Sequence, residues 1–273
     1  NGNPVDYPSQ PLMALIALQL LEDADAQVVI VCPGKTLQEQ WVREWDAFTR
    51  TCYLALDDRL RSARTGRSVS PIALHGSLGE FALSLQRRDR RIHLLRYSSF
   101  SRPLWFGFPS QDGYQADAMF AVYVGALAPL GAEPSPDDRA ELAKARTSTE
   151  GTAVDHFGTV LQARYAARLG QLLCARGIAL AVFDEAQYLR HVGNQQNRHI
   201  LGLFHPHARR WLFLSATPLH SGTQSLASLD TYLGPAAAGT CNCTPGIQSP
   251  RIARRLRPGT PETLDIVEIM QEF

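Results

Sequence analysis

The sequence is poor in lysine and has no apolar run long enough to cross a membrane. Only Lys35 and Lys144 occur among 273 residues, so any site that needs several lysines is excluded. No apolar stretch reaches the ~18 residues of a membrane-spanning helix, and no basic segment followed by an apolar one opens the chain. We therefore expect no membrane partner.

Cysteines are few and odd in number. The five stand at positions 32, 52, 174, 241 and 243, unlike the even sets that cross-link small secreted domains. Neither they nor the histidines at 191, 199, 205 and 207 have the spacing of a common zinc site. A G-x-S-x-G sequence is also absent, so a serine hydrolase lacks its usual nucleophile. These features favour a reducing, cytoplasmic location.

The charges nearly balance. With 27 lysines and arginines, 26 aspartates and glutamates and a net charge of +1, the chain has no overall attraction for nucleic acid. Binding would have to come from local patches, and the arginines at 87, 88, 90 and 91 form one basic cluster. This cluster is either an exposed solvated face or an electrostatic fringe that adds to nucleic-acid binding.

Apolar runs alternate with helical patterns in a way that is typical of an α/β protein. Runs of four or five apolar residues indicate strands of a parallel sheet that helices cover on both faces. Such runs, with some weaker strand patterns, lie at 28–31, 52–56, 71–75, 92–95, 179–183 and 211–214. Helices are predicted at 12–21 and 37–48, the second with Trp41 and Trp45 on one face.

Residues 103–176 differ from the rest of the chain, because helical patterns follow one another there without a strand. These patterns lie at 115–129, 136–146 and 154–176. We interpret the segment as a helical insertion, which is either a packing appendage or an element that contacts a partner or DNA. The sequence thus predicts a main domain at 1–102 and 177–235, an insertion at 103–176, and a linker or the start of a following lobe at 236–273.

Polar side chains follow two of the predicted strands at the points where these strands end. Asp184 and Glu185 come directly after 179–183, and Ser-Ala-Thr at 215–217 comes directly after 211–214. In parallel α/β sheets, ligands bind at the carboxyl ends of the strands. We therefore expect the two groups to border one cleft.

The acidic pair suits phosphoryl transfer from ATP. This reaction needs a divalent cation that bridges the phosphates and a group that orients or deprotonates the attacking water. Mg²⁺ prefers oxygen ligands and keeps several waters, so one carboxylate at a strand end is enough to place it. We predict that Asp184 holds Mg²⁺ and ATP and that Glu185 activates the water.

Four segments resemble motifs of superfamily 2 helicases of the Swi/Snf-type branch. VVIVCPGKTLQEQWVREW at 28–45 is similar to motif Ia, IHLLRYSSF at 92–100 to motif Ib, VFDEAQYLR at 182–190 to motif II, and LFLSATPLHSG at 212–222 to motif III. The resemblance covers residues 11–101 and 177–235, with the motifs in the order of the family.

The resemblance implies the first RecA-like lobe of a DNA-dependent ATPase, a doubly wound parallel sheet flanked by helices. Its cofactors would be ATP and Mg²⁺. It would move along DNA rather than RNA, and its partner would be a second RecA-like lobe in the same or another chain. Gln187 would link the nucleotide to motif III, which couples nucleotide state to movement through Ser215, Ala216 and Thr217. The strand-end loops would bind DNA phosphates through Gly34, Lys35, Thr36, Tyr97 and Ser98.

The chain departs from the family at the phosphate-binding loop. A P-loop reads G-x-x-x-x-G-K-[ST], because its glycines expose backbone N–H groups and its lysine neutralises phosphate. Lys35 follows Gly34, but Val29 occupies the position of the first glycine, so we interpret this segment as motif Ia. Just before residue 12, where the family has the loop, this chain reads Tyr-Pro-Ser-Gln-Pro without lysine.

Two functions of different classes follow from these motifs. Intact motifs II and III favour the first lobe of an ATP-dependent DNA helicase or translocase, which would be inactive alone. The missing P-loop favours a catalytically degenerate helicase-like scaffold or nucleic-acid-binding module. Titration with Mg·ATP separates the two.

Overall fold

One parallel sheet organises the part of the chain that a computed structural model describes, residues 10–23, 25–52, 70–107, 115–147, 151–191 and 193–215. Its strands are β1 (Gln27–Cys32), β2 (Ile72–Leu74), β3 (Ile92–Arg96), β4 (Ile178–Phe183) and β5 (Trp211–Phe213). Their order is β2-β3-β1-β4-β5, so the chain starts in the middle of the sheet and winds outwards in both directions. The predicted α/β class, a doubly wound parallel sheet flanked by helices, is confirmed.

The helices of the described residues are α1 (Gln10–Glu22), α2 (Lys35–Ala47), α3 (Leu78–Arg87), α4 (Ala116–Leu127), α5 (Pro136–Thr147), α6 (Gly151–Arg176) and α7 (Gln195–Phe204). No sequence pattern predicts α3, which begins at a side-chain cap where Ser77 Oγ accepts from Glu80 N–H at 3.2 Å. The predicted strand at 52–56 lies outside the described residues except for Cys52, which ends a π-helical turn after α2. None of the described helices combines the length and the apolar character that crossing a membrane requires.

Strand β1 separates two hydrophobic cores, because alternate side chains of a strand point to opposite faces of the sheet. Val28 and Ile30 pack in a cluster with residues of α1 and α2. Val29 and Val31 pack in a second cluster with residues of α3, α4, α6 and α7. Every residue of β1 and β4 is buried, which explains why both strands are continuous apolar runs.

The helices between β3 and β4 share a core with the sheet instead of enclosing one of their own. A buried stripe of α6 belongs to the same cluster as the sheet residues Val29 and Val31, namely Phe157, Leu161, Tyr165 and Leu169. The buried Asp138 carboxylate joins α4, α5 and α6: it accepts from the Tyr123 hydroxyl at 3.1 Å and pairs with Arg164. The helical segment is therefore tied both to the sheet and within itself.

Buried polar side chains form a chain from the end of β2 through β3 to β1. His75 Nε2 lies 3.0 Å from His93 Nδ1, and His93 Nε2 lies 2.8 Å from Gln27 Oε1. An amide oxygen only accepts, so His93 Nε2 donates to Gln27 and His93 Nδ1 accepts from His75. Burial lowers the pKa of His75 from 6.5 to about 4 and lowers the pKa of His93 as well.

Acid should destabilise the fold through these two histidines. A histidine with a lowered pKa binds protons more readily in the unfolded chain, so its stabilising contribution is complete above pH 6.5 and declines as the pH falls towards about 4. We expect the thermal midpoint to fall between pH 7 and pH 5, and to fall less in the His75→Leu/His93→Leu variant. His191→Ala, at an exposed histidine, is the control and should keep the wild-type slope. Equal slopes in all three proteins would contradict this assignment.

Candidate functional site

The carboxyl ends of β1, β4 and β5 lie side by side, and backbone hydrogen bonds extend their pairing beyond the strands. Asp184 N–H donates to the Val31 carbonyl at 2.9 Å, and Leu214 N–H donates to the Phe183 carbonyl at 2.9 Å. Ala186 N–H then donates back to the Leu214 carbonyl at 2.7 Å. The residues that follow β4 and β5 are therefore held at one edge of the sheet.

Glu185 turns the chain sharply after β4. Its φ and ψ of 54° place a non-glycine residue in the left-handed region, and a 3₁₀ turn, Ala186–Leu189, follows it. This conformation costs on the order of 1–2 kcal/mol for a residue with a Cβ atom. Such strain concentrates at functional sites, where the surrounding structure maintains it. The turn allows the consecutive residues Asp184 and Glu185 to engage different partners.

Glu185, Gln187 and Ser215 form a continuous hydrogen-bonded series. Ser215 Oγ donates to Gln187 Oε1 at 2.8 Å, and Gln187 Nε2 donates to Glu185 Oε2 at 2.6 Å. The Gln187 amide thus connects a carboxylate after β4 to a hydroxyl after β5. Ala216 and Thr217, which the sequence groups with Ser215, lie outside the described residues.

Asp184 is held by side chains from two other elements. Trp41 Nε1–H, from α2, donates to Asp184 Oδ2 at 2.9 Å, and the Tyr97 hydroxyl donates to the Asp184 carbonyl at 3.0 Å. Burial raises the pKa of Asp184; the hydrogen bond from Trp41 opposes this rise, and the charge of Glu185 adds to it. A cation beside Asp184 would favour the ionised form.

Cys32 lies at the same edge, where its surroundings disfavour the thiolate. Its side chain is completely buried at the end of β1. Burial raises the pKa of the Cys32 thiol to about 12, and the nearby Asp184 charge adds to the rise. Because the thiolate is the reactive form, almost none is present at neutral pH. Cys32 therefore serves as a packing residue.

Gly34, Lys35 and Thr36, predicted to meet nucleic acid, form the start of α2 at this edge. Gly34 is the N-cap residue of α2 and has no side chain that could cap it. The first N–H groups of the helix therefore have no side-chain acceptor at the N-cap position. Thr36 is exposed, as is 76% of the Lys35 side chain. Lys35 Nζ lies 3.6 Å from Glu39 Oε1, and a pair so exposed is weak. These residues are placed where an anion can approach.

Tyr97 and Ser98 follow β3 at the same end of the sheet. Ser98 is exposed, whereas Tyr97 is only 2% exposed and uses its hydroxyl to bind the Asp184 backbone. The Tyr97 ring also stacks on Tyr188, with 5.4 Å between the ring centroids. The side chain of Tyr97 therefore supports the turn after β4 from within, and Ser98 is the surface residue of the pair.

The arginine cluster of the sequence lies at the opposite end of the sheet, because it precedes β3 while Ser98 follows that strand. Arg91 Nη2 donates to the carbonyls of Leu20 and Asp23, each at 2.6 Å. Arg90 Nη1 donates to the Ser70 carbonyl at 3.2 Å. Two of the four arginines thus brace the amino end of the sheet, and the cluster does not adjoin the strand-end site.

The sequence patterns miss the role of Trp41 in the site. They place Trp41 on the apolar face of a helix but do not reveal its bond to Asp184, which is 143 residues away in the chain. The signal that was available is chemical: a buried tryptophan needs a partner for its indole N–H. Identifying that partner requires the strand order, because β4 lies beside β1 in the sheet and α2 starts from the end of β1.

One carboxylate at the strand ends could hold a magnesium ion. Mg²⁺ is commonly bound by one or two protein carboxylates together with substrate phosphates, and Asp184 could supply one such carboxylate. Within the described residues no three His, Cys, Asp or Glu side chains converge as a metal cage. The sequence also provides no lysine-bearing loop for the phosphates.

Comparison with protein-family models, with curated proteins and with solved structures finds no match to this chain. The likeness to helicases therefore rests on the quoted segments alone. The arrangement of side chains at the strand ends is the remaining indication of function.

The Asp184 carboxylate should reduce stability at neutral pH. A carboxyl group whose pKa rises on folding stabilises the fold below its ordinary pKa of 3.8, and this contribution is lost as the pH rises through the folded value. We expect Asp184→Asn, which can still accept from Trp41, to raise the thermal midpoint at pH 7. Glu39→Gln, at an exposed carboxylate, should change it little. A lower midpoint for Asp184→Asn would show that the buried charge is not destabilising.

Proposed function

We propose that this chain is the first RecA-like lobe of an ATP-dependent DNA helicase or translocase, which couples ATP hydrolysis to movement together with a second lobe. The observation that carries the proposal is the series Ser215–Gln187–Glu185 beside Asp184. This series joins the ends of two neighbouring strands through side chains alone. A change at one strand end can therefore be transmitted to the other.

The proposed roles follow from these contacts. Asp184 would ligate Mg²⁺, which bridges the phosphates of ATP and offsets their developing charge when bound. Glu185 would orient or deprotonate the attacking water. Gln187 shares its amide between Glu185 and Ser215, so a change in what Glu185 binds alters the hydrogen bonding of Ser215.

Nucleotide titration tests the enzyme proposal. Calorimetry with a non-hydrolysable Mg·ATP analogue should detect binding to the wild type and a loss of at least about tenfold in Asp184→Asn, because a metal ligand is removed. Glu185→Gln should bind the analogue almost as well as the wild type, since its role belongs to hydrolysis. Glu133→Gln, at an exposed carboxylate away from the strand ends, is the matched control. Binding that Asp184→Asn leaves unchanged would exclude Asp184 from the site.

A second function is a helicase-like scaffold or nucleic-acid-binding module without nucleotide turnover. Two observations favour it: no P-loop is present, and the Trp41 N–H already occupies Asp184 Oδ2. This alternative expects nucleic-acid binding in the absence of any Mg·ATP binding. Both functions share the surface formed by the start of α2 and the turn after β3.

Nucleic acid would bind at these strand ends through its phosphates. The helix dipole and the uncapped N–H groups at the start of α2 favour an anion, and Lys35 adds an exposed positive charge. Ser98 offers a hydroxyl from the turn after β3. Contacts of this kind fix the position of a strand and carry no sequence information.

Salt dependence of DNA binding tests this surface. Lys35→Ala should weaken binding to single-stranded DNA and reduce the slope of log affinity against log salt by about one, because one phosphate contact is lost. Arg87→Ala removes an exposed charge at the other end of the sheet and should leave the slope unchanged. Fluorescence anisotropy with labelled oligonucleotides provides the measurement. If Arg87→Ala reduced the slope and Lys35→Ala did not, the DNA would bind at the arginine cluster instead.

A further inference from the structure

A pocket of about 290 Å³ lies beside residues 102–107, which follow the turn after β3. Its walls come from residues 102–107, from α4 and α6, and from Gln195 at the start of α7. The lining combines apolar side chains, including Leu104, Phe106 and Met119, with the polar side chains of Asp155, Thr159 and Gln162. The volume lies at the lower end of ligand pockets, about 300–1,000 Å³, which suits one small ring system.

Gln162 gives the pocket a buried acceptor that is not satisfied. No donor among the described residues reaches the buried Gln162 Oε1 atom. Buried polar atoms are almost always hydrogen-bonded, because leaving one unpaired is costly. The oxygen itself has almost no exposed surface, so a ligand N–H would satisfy it once the Gln162 amide group turns towards the pocket.

Trp105 gives the pocket an aromatic surface. Its side chain is 50% exposed although it lines the pocket, and the Arg102 guanidinium lies 5.3 Å from the ring centroid. A half-exposed tryptophan paired with an arginine favours flat aromatic ligands, because stacking and cation–π attraction both act on them. The pocket thus combines an aromatic surface with one acceptor for an N–H donor.

The wall of the pocket is connected to the turn Ala186–Leu189, which follows the acidic pair Asp184 and Glu185. Asn197, which is fully buried in α7, donates to the carbonyls of Tyr188 at 3.1 Å and His191 at 3.0 Å. Ser101 Oγ, next to the pocket-forming segment, donates to Gln196 Oε1 at 3.1 Å. The first turn of α7 therefore contacts both the residues after β4 and the segment that forms the pocket.

We propose that the pocket receives a single unstacked nucleobase of a bound strand, one that carries an amino group, such as adenine. The base stacks on Trp105, and its amino N–H donates to Gln162 Oε1. This proposal rests on the nucleic-acid binding proposed above, because the pocket begins four residues after Ser98. The strand enters along the turn after β3 and turns one base inwards.

Two single strands separate the contributions of the two side chains. One is composed of deoxyadenosine, and the other of purine deoxyriboside, which has the same ring system without the amino group. We expect the wild type to prefer the adenine strand, and Gln162→Met to bind both equally. Trp105→Ala should weaken both roughly 5- to 150-fold, the usual value of one stacked base, while Trp105→Phe retains most of the affinity.

Two further measurements control for folding and location. Leu18→Ala, at a 53% exposed leucine on the opposite face of the sheet, should leave binding unchanged, and all variants should keep their thermal midpoints. The adenine strand should quench tryptophan fluorescence in the wild type and not in Trp105→Phe, since Trp41 and Trp45 are buried and the half-buried Trp211 is not among the residues that line the pocket.

The outcomes distinguish this proposal from the function on which it rests. Strand binding without preference for adenine, or unaffected by Trp105→Ala, would overturn the base pocket and leave the proposed function intact. Binding of free adenosine but not of strands would overturn the strand as occupant and assign the pocket to a free nucleoside. Failure of every strand to bind would remove both the base pocket and the nucleic-acid function, while the Mg·ATP titration still reports on Asp184.

Discussion

The pairing of β4 between β1 and β5 is the constraint on which the site depends. Side chains alternate along a strand, so a slip of one position in this pairing would send Asp184 to the other face. Phe183 lies opposite Phe213 in the register of β4 and β5, and it packs on Trp211 and Phe213 with centroid distances of 5.1 and 5.5 Å. Aromatic packing thus helps to hold the short strand β5 in the register that brings Ser215 to the site.

Asp184 shows how this geometry sets the electrostatics. Its backbone N–H is bonded to β1, so its carboxylate has to lie against α2, where burial disfavours the charge. The Trp41 indole relieves part of that cost with a single hydrogen bond. Burial of this charge is unfavourable, and the left-handed Glu185 beside it adds backbone strain. Unfavourable features of this kind cluster at binding and catalytic sites in proteins.

The sequence predicts the strands and their polar ends, because buried parallel strands have a strong apolar signal and the chemistry follows directly after them. It does not reveal contacts that depend on the order of strands, such as Trp41 with Asp184. It also cannot show that Arg91 donates to carbonyls at the amino end of the sheet, while Arg87 and Arg88 stay exposed. Tyr97 resembles a surface contact in its motif, yet its neighbours in space bury it. Local patterns predict elements, and the packing between elements determines which residues remain at the surface.

Asn197 illustrates a role that only the packing reveals. Asparagine is an ordinary residue near the start of a helix, but the Asn197 side chain donates to two backbone carbonyls of the chain after β4. Those carbonyls lie in and just after the Ala186–Leu189 turn, so they need a partner other than the backbone of a strand or an α-helix. The same helix turn reaches the segment after β3 through Gln196 and Ser101. Because the first turn of α7 contacts both, a displacement of the Ala186–Leu189 turn would be transmitted to the segment that forms the pocket. This connection makes α7 the physical link between the acidic pair and the surface where we expect nucleic acid.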